Sequence, residues 1–464
     1  MKVLVLLVDA LRADHLGCYG YGYDTSPRLD EMASHGVRFA RFFAPSIPTE
    51  PAHTCIFTGQ HSVTHGVVAH KAGHVELPGE TPWWPQLLRQ SGVLTAAIDT
   101  LADQAPWFAR GWAEYHNPRR PGQLIDATVV NEALLQWLDA HRDGDWLCFA
   151  HYWDVHSPYL PPSPLDTVHD APGIVGAPGL ELWEAQPSYP FARRWQVASY
   201  GEVRDLEQIR ARYDGAITFL DQAIGEVLDQ LRRIGCDRDT VVMVTADHGE
   251  VMYDRPGFFD HAGLYDDTVH VPLIVSGPGL RPGGVCSGTH QHVDLAPTIL
   301  GLFGVPTPEN LAGRDLGPVL RGDEVPADEA LYLTEATWEV KWGVRTDEWK
   351  LIKVLDPGVH GMKADELYHL PSDPGEETNV VDRYPDVADA LELRLRRWWE
   401  AGLASGSDPL REQLRRGVPA AQWVADAVAA EALTQDEWRA SRYHLARSTA
   451  GASRSFTRPL NSSS

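Results

Sequence analysis

The sequence predicts an α/β protein: a mostly parallel sheet sandwiched by helices, followed by a small α+β domain with a short antiparallel sheet. Two patterns predict this. Short runs of near-continuous apolar residues, as expected of strands covered on both faces, alternate with helical periodicity up to residue 302. Around 323–328 the texture then changes to a charged, proline-containing linker, and shorter alternating runs follow it. The length of 464 residues, with 43% hydrophobic and 22% charged, fits an ordinary globular chain of more than one domain at roughly 150 residues each.

The expected strands of the larger domain are 3–8, 93–98, 146–151, 240–245 and 271–276, and its helices are 26–35, 126–141, 205–233 and 293–302. In the longest helix Tyr213, Ile217, Leu220, Ile224, Val227, Leu228 and Leu231 keep three-to-four spacing, which marks one apolar face. The runs 330–334, 340–345 and 350–354, with a helix at 385–400, make 330–404 the small domain after a catalytic domain at 1–325. Residues 405–464 are rich in Arg and Ala, with a helical stretch at 420–433 and a Ser-rich end expected to be flexible.

The formal charge of −24, from 40 Lys+Arg against 64 Asp+Glu, argues against a nucleic-acid binder or an anionic-membrane binder, since both need a basic face. No apolar run approaches the ~20 residues that span a bilayer. The opening MKVLVLLVDA is broken by Asp9 and reads as a buried strand rather than a signal peptide. Five dispersed cysteines without CxxC spacing imply reduced thiols and a cytoplasmic protein.

Open α/β sheets place ligands beyond the carboxyl ends of their strands. Asp9 follows the first strand, and Asp247 and His248 follow the 240–245 strand in TADHGE. A lone Asp there is more often a turn or cap residue, but Asp-His-Gly offers a carboxylate and an imidazole with room for close backbone approach. Three such mixed O and N donors suit a divalent ion such as Mn²⁺ or Zn²⁺. In the third segment, 46–59, a proline-punctuated turn runs into an apolar helix ending at Gly59. Thr49 falls near that helix's N-terminus, either as its cap or where backbone N–H groups favour a negative oxygen.

Taken together, VDALRADHLGCYG, TEPAHTCIFTG, TADHGE, HVPLIVSGPG, HVDLAPTIL, GRDLGPVL, VRTDEWKLIKV and ELYHLPSDPGEETNVV resemble, in order, the sulfatase branch of the alkaline phosphatase superfamily over about residues 1–404. The resemblance implies an alkaline phosphatase-like sheet and a metal-dependent hydrolase of small anionic esters. It also exposes departures. Ten residues before the helix-ending glycine, sulfatases carry a Cys or Ser that becomes formylglycine, in C/S-x-P-x-R; here the segment reads Thr49-Glu50-Pro51-Ala52-His53. Ala10 stands where sulfatases commonly have a second aspartate, and Thr100 lies where their lysine-containing segment would be. The T-x-P-x-H form is similar to phosphodiesterase relatives with a threonine nucleophile, and the other two departures are similar to phosphonate monoester hydrolases.

The resemblance therefore implies one ion held by Asp9, Thr49, Asp247 and His248, with Mn²⁺ preferred and Zn²⁺ or Ca²⁺ as other fits. Asp154 and His156 are one residue apart, unlike the Asp-x-x-x-His pair of two-zinc relatives, so a second ion is not expected. Thr49 is the implied nucleophile, with His156 and His261 assisting catalysis and His53, His65 and Thr100 on the substrate side. His61, His70 and His74, crowded with His65 after Gly59, read as solvated loop residues. The expected function is hydrolysis of phosphate diesters or phosphonate monoesters through a phosphothreonine; a sulfatase, a phosphotransferase to an alcohol and a non-catalytic anion-binding scaffold stand as alternatives.

Residues 405–464 hold eight arginines and six acids, a net of +2, which leaves −26 on the rest. From Ser441 onward there are four arginines and no acid. Such an arm reads either as a solvated tail or as a basic segment docking on an acidic body, and the second reading predicts a homo-oligomer.

Overall fold

The computed structural model describes residues 1–73, 75–120, 125–170, 178–253, 255, 257–323, 325–403, 406–431 and 433–434. Among the described residues thirteen strands are formed: β1 (Lys2–Val8), β2 (Val37–Phe43), β3 (Ser46–Ile47), β4 (Leu94–Ile98), β5 (Glu114–His116), β6 (Trp146–Tyr152), β7 (Thr240–Ala246), β8 (His270–Ser276), β9 (Gly284–Gln291), β10 (Leu331–Glu335), β11 (Val340–Arg345), β12 (Trp349–Asp356) and β13 (Glu366–His369). The first sheet runs β5-β4-β6-β1-β7-β8-β2-β9 and is parallel except for β8, which opposes both neighbours. Every residue of β1, β6 and β7 is buried, which is why these strands read as unbroken apolar runs. The α/β class with a mostly parallel sheet, predicted from sequence, is the class observed.

Register decides where chemistry can sit. Val8 of β1 pairs with Tyr152 of β6 on one side and Ala246 of β7 on the other, so three adjacent parallel strands end at one level. Beyond that level Asp9 N–H donates to the Tyr152 carbonyl and Asp247 N–H to the Val8 carbonyl. The helix Leu206–Ile234 covers one face, capped by Asp205, whose carboxylate accepts the Gln208 N–H at 3.1 Å. Of its expected apolar stripe, Tyr213, Ile217, Leu220, Ile224, Val227 and Leu231 are all buried.

The second sheet, β13-β12-β11-β10-β3, is antiparallel among its four long strands. It is not confined to residues 330–404. β3, two residues before Thr49, adds in parallel to β10 with Ser46 opposite Thr334 and Ile47 opposite Glu335. The Thr334 hydroxyl is clasped by Ser46 Oγ at 2.6 Å and Ser62 Oγ at 2.8 Å. Helix Pro385–Gly402 packs Leu391, Leu395 and Trp399 onto this sheet.

The extension folds back onto the body as far as it is described. Helices Pro409–Arg416 and Pro419–Ala429 follow, and Ala420 and Ala427 pack in a cluster with Phe191 and Trp338. The Arg194 guanidinium donates to the Ala430 and Leu433 carbonyls. The arm from Ser441 lies outside the described residues, as does His74.

Candidate active site

Asp9 and Asp247 stand side by side past the tips of β1 and β7. Ala10, at φ 60°, turns the chain so that its N–H donates to Asp247 Oδ1 at 3.1 Å. The His248 N–H donates to the same oxygen at 2.8 Å. Gly249 is required beside them: a Cβ there would lie 2.0 Å from the Asp267 carbonyl oxygen. The Asp247 Oδ2 and both oxygens of Asp9 are buried with no hydrogen-bond partner. Unpaired buried carboxylate oxygens are costly, and a metal ion is one standard way of satisfying them.

Thr49 opens the helix Thr49–Thr58, directly after Pro48. The cap position is Pro48, which has no polar side chain to cap with, and the Thr49 Oγ1 lies 3.4 Å from His248 Nε2. His248 donates from Nδ1 to the Gly249 carbonyl at 2.9 Å, which leaves Nε2 as the lone-pair nitrogen. That nitrogen lies 3.4 Å from Asp247 Oδ2 and 3.7 Å from Asp9 Oδ1. The structure thus brings the four predicted metal residues together, with the predicted nucleophile among them.

His261 and His156 form a file of rings leading away from this cluster. The ring centroid of His261 is 4.6 Å from that of His248 and 5.0 Å from that of His156. His156 donates from Nδ1 to the Ser157 carbonyl at 2.6 Å, so its Nε2 is the accepting nitrogen. His261 Nδ1 lies 3.4 Å from Asp260 Oδ1 and 3.6 Å from Glu250 Oε1.

Among the described residues Asp9, Asp247, Glu250 and Asp260 meet histidines at ion-pair distance and no lysine or arginine. Burial, reinforced by Asp247 and Glu250, raises the Asp9 carboxyl well above its ordinary range. Burial pushes Asp247 up to about 6, with His53 and backbone N–H groups opposing. Burial holds His248 well below the usual imidazole range and His261 down to about 3. The site is a buried cluster of carboxyl groups and neutral imidazoles whose unpartnered oxygens a cation would satisfy.

The three residues expected on the substrate side occupy different places. His53, one turn along the helix from Thr49, donates from Nδ1 to the Thr49 carbonyl at 2.8 Å and lies 3.5 Å from Asp247 Oδ2. Thr100 is buried and accepts the Trp153 indole N–H at 2.7 Å, and Trp153 in turn stacks edge-on to His151. His65 is turned into the packing, with Nε2 3.3 Å from Cys55 Sγ and Nδ1 accepting the Val67 N–H. The expectation of solvated histidines after Gly59 is corrected for the two described ones: Trp398 covers His61 at 5.0 Å and Trp423 covers His70 at 6.1 Å, rings supplied by helices from the far end of the chain.

His151, Glu250 and Asp260 were not picked out from sequence as site residues. His151 sits in β6 one residue before its end, and its one signal was a histidine inside an otherwise apolar strand. Glu250 and Asp260 gather with His261 in a set whose ligand-type atoms lie within 4.8 Å of one another.

With this geometry in hand, comparison with known proteins is direct. The family profile described as Sulfatase matches residues 2–305, and that described as N-sulphoglucosamine sulphohydrolase, C-terminal, matches 255–400. An N-acetylglucosamine-6-O-sulfatase of Bacteroides thetaiotaomicron is 22% identical, covering 82% of this chain and 83% of that one. Arylsulfatase K of Bos taurus is 31% identical over a stretch covering 42% of this chain and 37% of that one. Among solved structures, the phosphonate monoester hydrolase of Silicibacter pomeroyi superposes with a TM-score of 0.70 at 23% identity, over 88% of this chain and 96% of that one. The 2-O GAG sulfatase BT1596 superposes with a TM-score of 0.69 at 21% identity, over 86% and 92%. At such identities the superpositions establish a common fold.

Proposed function

The chain belongs to the sulfatase family of ester hydrolases, and from that premise we propose that it hydrolyses phosphate diesters or phosphonate monoesters by attack of Thr49 on phosphorus. The observation that carries this reading is the Thr49 hydroxyl, set at a helix N-terminus and 3.4 Å from the lone pair of His248. Oxidation of a threonine side chain gives a ketone, so this position does not furnish the formylglycine aldehyde on which sulfate-ester cleavage in the family depends. An unmodified alcohol is instead a competent nucleophile toward phosphorus.

A divalent ion held by Asp9, Asp247, His248 and Thr49 supplies Lewis acidity, lowering the hydroxyl's pKa and neutralising phosphoryl charge. The rest falls to the chain. The N-terminus of the Thr49–Thr58 helix, whose first turn has the N–H groups of Thr49 and Glu50 and none at Pro51, would offer its positive end to the anionic group. As the Oγ1–P bond forms and the P–O bond to the leaving group breaks, the threonine proton enters the His261–His156 pair. The departing oxygen collects a proton from that pair and leaves as a neutral alcohol. Water then attacks the phosphorus of the threonine adduct, and Thr49 Oγ1 regains a proton through the same rings.

The test is kcat/KM of the metal-loaded protein on matched aryl phosphate monoesters, phosphate diesters, phosphonate monoesters and sulfates. Diesters or phosphonates are expected to lead. Sulfate turnover above both overturns the proposal.

A further inference from the structure

The metal site described above does not account for every orphaned donor around it. Asp9 presents Oδ1 toward His248 Nε2 at 3.7 Å, and presents Oδ2 the other way, toward His151 Nε2 at 3.8 Å. Both oxygens lack a hydrogen-bond partner, as do both nitrogens of His151 and Nε2 of His53. These side chains are fully buried, with relative exposures of 0–1%. Asp247 Oδ2, also without a hydrogen-bond partner, stands between the two imidazoles of His248 and His53, 3.4 Å from His248 Nε2 and 3.5 Å from His53 Nδ1.

We propose that His53, His151, Asp247 Oδ2 and Asp9 Oδ2 form a second divalent-metal site, bridged to the first through the Asp9 carboxylate and through Asp247 Oδ2, the one oxygen of that group its backbone bonds leave free. It rests on reading Asp9, Asp247, His248 and Thr49 as metal-bearing.

Three features carry it. The ligand atoms of His53, His151 and Asp247 lie within 4.8 Å of one another. Donors at about 2.0–2.1 Å around a tetrahedral ion sit roughly 3.4 Å apart; the 3.8 Å between His151 Nε2 and Asp9 Oδ2 is near that value and longer than a good hydrogen bond. A histidine used merely to buttress Asp9 would donate to it at hydrogen-bond distance, and His151 does not.

The tautomer of His53 is also set for ligation. Its Nδ1–H is held by the Thr49 carbonyl at 2.8 Å, the outer-shell arrangement that orients a metal-bound imidazole, and Nε2 is left with its lone pair. His248 is oriented in the same way by the Gly249 carbonyl. Finally, the carboxyl groups of Asp9 and Asp247 are fully buried and meet histidines, but no lysine or arginine, at ion-pair distance among the described residues, so their unpartnered oxygens face imidazole nitrogens alone. Two imidazoles with carboxylate oxygen select a borderline first-row ion, for which Zn²⁺ is the probe.

The experiment is metal stoichiometry of the full chain, reconstituted with Zn²⁺ and exhaustively dialysed, read by elemental analysis and by stepwise Co²⁺ titration of the visible ligand-field bands. Wild type is expected to hold two ions per chain. His151→Gln and His53→Gln are each expected to lose one equivalent while keeping the far-ultraviolet circular dichroism of wild type. In wild type loaded with Mn²⁺, exchange coupling between two bridged ions is expected in the electron paramagnetic resonance spectrum. One ion per chain in wild type, lost in His248→Gln and kept in His151→Gln, overturns the second site and leaves the first standing. Two ions that both survive His151→Gln and His53→Gln also overturn it. No bound ion overturns both sites. Two ions in wild type with one lost in His151→Gln uphold the second site even where Thr49→Ala stays hydrolytically active, a result that fails the nucleophile alone.

Discussion

Substitution of Thr49 by serine and by alanine separates the hydroxyl's chemistry from its placement. Thr49 is 2% exposed at the start of its helix, and its Oγ1 faces His248 Nε2. A β-branched side chain in a packed site is held near one rotamer, whereas serine has three staggered wells open to it. Dilution over three wells costs at most RT ln 3, about 0.7 kcal/mol, so Thr49→Ser should lose about threefold in kcat/KM. Thr49→Ala removes the attacking oxygen, and with it the covalent route; a loss of at least about 10³-fold is expected. Initial rates on a bis-aryl phosphodiester measure both, and acid quench followed by peptide mass analysis locates the adduct on the Thr49 peptide in the serine and wild-type proteins. Activity of Thr49→Ala within about tenfold of wild type would refute the assignment. So would a serine variant as slow as the alanine one.

Two further outcomes concern stability. Asp99 is buried, with Oδ1 accepting the Leu101 N–H at 2.7 Å and the Tyr115 hydroxyl, and burial pushes its carboxyl up to about 7. The folded chain therefore holds a proton that the unfolded chain releases above about pH 4. The resulting stabilisation is complete below that value and is lost as pH rises through about 7, at most about 4 kcal/mol. Asp99→Asn cannot titrate, so denaturant melts should show it gaining on wild type between pH 5 and 8; parallel curves contradict this. Gly59 ends the nucleophile helix at φ 67°, where a Cβ would meet Ala296 and Leu311 at 2.9 Å. Gly59→Ala should cost about 1–3 kcal/mol. Gly66→Ala, left-handed but with nothing within 4 Å, should cost less in the same melts.

The parts of this molecule written locally were legible in its sequence. β1, β6 and β7 are covered on both faces, so nothing interrupts their apolar runs, and residues just past their ends identified Asp9, Asp247 and His248. Thr49 came from the spacing to Gly59 that the family resemblance made meaningful. β2 was missed because Arg38 and Arg41 break its run while facing a less buried side. β9, with Ser287, Gly288 and Gln291, has the composition of a loop and is strand only because β2 pairs with it. His151 was hidden by the strand that carries it; its donors matter only because register sets it beside Leu7, two residues before Asp9. The burial of the histidines after Gly59 was unreadable because Trp398 and Trp423, which cover two of them, come from more than three hundred residues away.

The pairing of Ser46 and Ile47 with β10 means that the nucleophile is mounted on the small sheet as much as on the large one. Thr49 is two residues from Ile47, and Ser46 and Thr334 are 288 positions apart in the chain. A fragment ending at 325 would keep Asp9, Asp247 and His248 but lose the rail against which the attacking oxygen is aligned. For anyone grafting a foreign C-terminal half onto this scaffold, the seam therefore runs through the active site. Compatibility hinges on whether the incoming strand presents a hydroxyl opposite Ser46.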